Sequence, residues 1–185
     1  MIRAAGLSLL LLTTGAARAQ PASRVATDAA FATFLGGCAP NVGDAAATEA
    51  FVRARGFVPA SFAVTARVAP DGGKRVWLLP ERDIGVSVLT EPNGLACRVY
   101  LRRGDLIALR IRFISAVEGL AGPSMTVEGL GDVAATPGGR TAVNLTYRVH
   151  GEPRLPGRPD RLFSLTTNGA PDAYAAAILT VAEVR

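Results

Sequence analysis

Few side chains in this sequence are equipped for chemistry, and their spacing narrows the choice further. Glu81 and Asp83 lie two residues apart in a predicted turn, close enough to act as a paired acid and base. Arg82 between them, and the solvated setting of a turn, predict two ordinary carboxylates instead. His150 is the single histidine, so any serine triad has to form around it, and no G-x-S-x-G elbow occurs. Cys38 and Cys97 are the only cysteines. If they pair, His150 is all that remains of the ligand set zinc usually takes, and neither a metal nor another cofactor is expected. A catalytic thiol needs a general base, and again only His150 is present.

Two further patterns carry possible function. Residues Gly129, Leu130, Gly131, Asp132, Val133 and Ala134 fit the G-x-G-x-x-G/A fingerprint of dinucleotide folds. That motif needs a following helix to hold the pyrophosphate. Pro137-Gly138-Gly139 breaks the chain there, so the run is expected to be a turn between strands. The second pattern is a row on a predicted strand, where Val143, Leu145, Tyr147 and Val149 point inward. Asn144, Thr146, Arg148 and His150 then share the outer face and, with Ser164 and Thr166 from a neighbouring strand, form a possible binding face. Asn144-Leu145-Thr146 also fits the glycosylation sequon, but its mid-strand position argues against use.

The 185 residues open with a basic Met1–Arg3, a short apolar stretch ending in Leu9–Leu12, and Ala17-Arg18-Ala19. This layout predicts an export signal over residues 1–19 cleaved between Ala19 and Gln20, with residues 20–27 as a flexible N-terminus and 28–185 as one domain. The apolar stretch is too short to span a bilayer, so no transmembrane span is expected. Loss of Arg3 and Arg18 lowers the formal charge from +5 to +3. The basic residues are dispersed: Arg98, Arg102, Arg103, Arg110 and Arg112 spread over two elements, and aromatics make up 6% of the chain. A nucleic-acid footprint needs a gathered basic surface with stacking partners, so nucleic acid is not an expected partner.

In an oxidising compartment two cysteines read as one disulfide, and closing a loop of about 60 residues contributes roughly 4 kcal/mol in the chain-entropy model. Leu35-Gly36-Gly37-Cys38 also resembles a lipobox. It lies more than about twenty residues beyond the apolar core that such a motif follows directly. Lipid anchoring at Cys38 is therefore the lesser alternative to a periplasmic or secreted chain.

The elements that position these residues follow from periodicity. Asp28 is placed to cap a helix carrying Phe31, Phe34 and Leu35 and ended by Gly36-Gly37; Asp44 caps a second, stopped by Gly56. Alternation over Phe62–Val68, a turn at Asp71-Gly72-Gly73 and Arg75–Leu79 predict a hairpin. A second hairpin joins Ile84–Leu89 to Leu95–Leu101 through Pro92-Asn93-Gly94, with Cys97 on its inner face. Leu106–Leu120 fits both periods, and its length behind an Asp105 cap favours a helix. Ser124–Glu128, Thr141–His150, Arg161–Thr167 and Ile178–Val184 read as strands. The sum is α+β: a largely antiparallel sheet with two short N-terminal helices and one longer central helix on one face.

Several of these features together resemble the NMCC-type family, small exported proteobacterial proteins of unknown function. They are Phe34-x-x-x-Cys38 before an Ala-rich helix ending Arg55-Gly56-Phe57, Trp77 after a hairpin, Asn93-Gly94-x-x-Cys97, and Phe163–Thr167 with Pro171-Asp172 before Ala177–Thr180. The resemblance implies an exported α+β domain with paired cysteines and carries over no active residue. The expected function is a non-enzymatic binding or accessory module of the envelope, its partner a protein or a small ligand. The alternative is a carboxylate-based hydrolase of envelope glycans, for which two acids about 5–9.5 Å apart suffice.

Overall fold

The computed structural model describes residues 22–68, 75–91, 94–135, 142–151, 159–168 and 174–184. Ala19 and Gln20, and the turn signals at 71–73, 92–93, 137–139, 153–158 and 171–172, lie outside the described residues. Strands β1 (Val58–Pro59), β2 (Arg75–Leu79), β3 (Ile84–Glu91), β4 (Gly94–Leu101), β5 (Thr126–Ala135), β6 (Ala142–His150), β7 (Asp160–Asn168) and β8 (Ala177–Val184) form one antiparallel sheet. Their spatial order is β1-β2-β3-β4-β8-β7-β6-β5. The fold is α+β, as the periodicity predicts.

The N-terminal helices depart from expectation in two ways. Helix α1 (Ala22–Thr33) begins six residues before Asp28, inside the stretch expected to be flexible. Thr27 explains this: its fully buried hydroxyl donates to Ser23 O at 2.9 Å and accepts from Asp105 N at 2.8 Å. The second departure is at Gly36-Gly37, which does not end the helix. The chain continues through a π-helical turn (Phe34–Cys38) into α2 (Ala39–Asn41). These glycines serve packing against α3 (Ala45–Ala54), because a Cβ on Gly37 would stand 2.5 Å from the Phe51 ring.

Helix α3 starts as predicted. The Asp44 carboxylate accepts from Ala47 N at 2.9 Å, and Gly56 at φ +80° follows its end. Phe62–Val68 is helix α4, not a strand. Ser61 opens it, its carbonyl accepting from Thr65 N at 2.9 Å. The short edge strand β1 precedes it, and Ala60 N adds one further bond to β2, donating to Val76 O at 2.9 Å, before the chain turns into the helix. Phe62, which the alternating pattern would bury, is 89% exposed.

Helix α5 (Leu106–Glu118) resolves the ambiguous stretch. Asp105 caps it by accepting from Ala108 N at 3.0 Å. Leu109, Phe113 and Val117 are buried while Ile107 and Ile111 are exposed, which is helical and not strand periodicity. Topologically, α5 carries the chain from β4 to the far edge, and β5–β8 then return until β8 pairs with β4. The core lies between the sheet and the layer of α1, the π-helical turn and α5. Phe34 meets Phe113 and Phe163 at ring separations of 6.3 and 6.1 Å, and Phe113 meets Tyr147 at 6.0 Å. Among the described residues no helix is long and apolar enough to cross a membrane.

Candidate functional site

The carboxylate pair is divided by its surroundings. Glu81 lies in a 3₁₀ turn, Pro80–Arg82, and Asp83 follows in the left-handed region at φ 54°. Asp83 faces Arg103 Nε at 3.2 Å and Arg102 Nη1 at 3.7 Å, and its carbonyl accepts from Arg102 N at 3.0 Å. Asp83 therefore clasps the β2–β3 connection to the end of β4. Glu81 is exposed beside a cleft of about 560 Å³ against the first turn of α1.

Cys38 and Cys97 are joined, with Cα atoms 5.3 Å apart, and link the π-helical turn to β4. Both are buried, at 0% and 2% exposure, so the bridge is shielded from thiol exchange. Cys38 thus lies in mid-helix with its sulfur engaged.

The glycine-rich run is corrected. It is not a turn between strands but the middle of β5, where the register shifts between Gly129 and Asp132. Gly131 takes φ +90°, so Leu130 and Gly131 together oppose one residue of β6. This is a β-bulge, and it re-aims a strand that runs on to Ala135, where the fingerprint needs the start of a helix.

The outer face of the sheet brings the predicted row together. Across the strands, Thr146 of β6 stands opposite Ser164 of β7, Ser164 opposite Thr180 of β8, and Thr180 opposite Arg98 of β4. Beside them the Thr166 hydroxyl donates to Asn144 Oδ1 at 3.1 Å. At the end of the row His150 is flanked by carboxylates: Nδ1 is 3.0 Å from Asp160 Oδ2 and Nε2 is 3.4 Å from Glu128 Oε2. Arg148 lies between the Asn144 and His150 ends, its Nε buried without a hydrogen-bond partner among the described residues. The other half of this face is covered. Ser87 donates to the buried Tyr100 hydroxyl at 3.2 Å, Tyr174 packs on Tyr100 at 6.5 Å, and Arg67 of α4 stacks on Tyr174. Burial raises the Tyr174 phenol above its ordinary range against the pull of Arg102 and Arg67.

One charged group escapes sequence reasoning. Glu49 on α3 binds Arg75 Nη1 at 2.6 Å and also pairs with Arg53, beside a cleft of about 370 Å³ that Trp77 lines. The Arg75 hydrogen bond, aided by Arg53, holds the Glu49 carboxyl below its ordinary value. The i,i+4 spacing of Glu49 and Arg53 signals half of this cluster; Arg75 arrives from a strand 26 residues on. Among the described residues no group of three His, Cys, Asp or Glu side chains is placed to hold a metal ion. The chain matches no protein-family model, no curated protein and no solved structure.

Proposed function

We propose that this chain is an exported, non-enzymatic binding or accessory module of the bacterial envelope that engages a protein or small ligand through the outer face of strands β4, β8, β7 and β6. One observation carries the reading: hydroxyl and cationic side chains stand in register across four neighbouring strands, Thr146, Ser164, Thr180 and Arg98. Such a row offers donors and acceptors at regular strand spacing, about 4.8 Å. The leader pattern, the buried disulfide and the resemblance to the NMCC-type family support export. The engagement of Asp83 by Arg102 and Arg103 weighs against the carboxylate hydrolase.

Site-directed photo-cross-linking in the envelope of the producing cell tests this. A photoreactive residue at Thr146 is expected to give a discrete adduct, whereas one at Ile107, exposed on the opposite layer, gives none. Adducts from Ile107 and none from Thr146 would move the binding surface to the helical layer and overturn the proposal.

A further inference from the structure

A second site lies on the other side of the sheet and stands independently of the outer-face reading. Between the π-helical turn, the C-terminal end of α5 and the inner side of β6 and β7 is a cleft of about 290 Å³. That is the small end of the range for ligand sites, roughly 300–1,000 Å³. Its floor is core: Val117, Val149 and Phe163 are buried. Leu35 and Met125 line it while 43% and 38% exposed, so large apolar side chains stay open to water at this spot.

Arg161 is the one charged residue among those lining the cleft. It stands on β7 opposite Val149 and Glu183, half-buried, and its Nη1 donates to Ala39 O at 3.0 Å. Among the described residues no carboxylate pairs with it. Glu183 is turned to Gly43, where a Cβ would meet its Oε1 at 2.7 Å. A guanidinium has five N–H donors in a planar fork that matches a carboxylate. Here one donor is tied to backbone, which fixes the fork, and the residue lines an otherwise uncharged cleft.

We propose that this cleft binds a medium-chain fatty acid, with the alkyl chain against Val117 and Phe163 and the carboxylate on Arg161. The charge selects the head group. A neutral amphiphile of equal length leaves a partly desolvated cation without its counter-charge, and a cationic one is repelled. The small volume selects a short single chain over a two-chain lipid.

Met125 supplies the readout, because the chain has two methionines and the other is Met1. Methyl-¹³C methionine labelling of the full chain gives a resonance inside the cleft, titrated with sodium decanoate and with 1-decanol below their aggregation limits. Decanoate is expected to move the Met125 methyl saturably, and decanol to bind at least about tenfold more weakly, as loss of a charge-assisted hydrogen bond dictates. Shortening to octanoate weakens binding roughly fourfold per methylene. Arg161→Gln brings decanoate down to the decanol level, and Ala116→Phe, which fills the cleft, abolishes the shift. A Met125 resonance that decanoate leaves unmoved, or equal affinities for decanoate and decanol, overturns the proposal; both comparisons need the wild-type chain alone.

Discussion

Cys38 and Cys97 show how much a single bond contributes here. The bridge spans 59 positions of sequence and pins the helical layer to a central strand of the sheet. Replacing either cysteine with serine is expected to cost roughly 2–5 kcal/mol in urea unfolding, and replacing both costs about the same as one. Strictly additive losses would show that the two sulfurs act separately. Glu49 ties stability to pH. Its folded-state pKa is held below the ordinary 4.5, chiefly by Arg75, so its stabilising contribution is present above that value and fades as pH falls through the lowered one. Glu49→Gln should therefore be less stable than wild type at neutral pH, and denaturation midpoints should converge on acidification below 4.5. A gap that widens in acid contradicts this sign. Asp44 and Asp105 were legible because an N-cap is a local contract: the side chain and the N–H it accepts from lie three residues apart. The Glu49–Arg75 contact was not, since no local rule relates a helix face to a strand edge.

Elements were legible where their period agreed with what they pack against. Helix α5 and strands β2, β3, β4, β6, β7 and β8 meet that condition. Phe62–Val68 does not: its alternation follows a two-residue edge strand, and Ser61 offers a helical start by accepting from Thr65 N. Strand β5 runs through two glycines because a bulge tolerates the φ +90° of Gly131 that a regular strand would not. The glycines at 36 and 37 were misread for a tertiary reason, the approach of Phe51 from α3. A glycine inside a helix with open space around it gains from alanine, about 0.5–1 kcal/mol. A packing glycine loses, so Gly37→Ala is expected to destabilise by about 1–3 kcal/mol. Phe51→Leu should recover part of that loss in a double-mutant cycle. A Gly37→Ala chain as stable as wild type would contradict a packing role against Phe51.

At the scale of the whole molecule, the topology divides the outer face of the sheet. Over β3 and β4, Tyr174 closes on Tyr100 and the α4 arginine Arg67 stacks on Tyr174, while the polar row on β6, β7 and β8 is only half-buried. This division could not be read from the sequence, because it depends on β8 entering the sheet beside β4 and on α4 being a helix. The leader pattern predicts that the exported chain begins at Gln20 with its cysteines oxidised; an intact mass starting elsewhere, or a lipid-modified Cys38, contradicts it. If binding resides in the Thr146–Ser164–Thr180 row, as proposed, blocking that face removes affinity without unfolding the chain. With the cross-linked partner purified, calorimetry should show that Thr146→Arg weakens binding by at least about tenfold, a loss of about 1.4 kcal/mol, while the melting temperature stays close to that of wild type. An unchanged Kd for Thr146→Arg in a fully folded chain would contradict binding at this row.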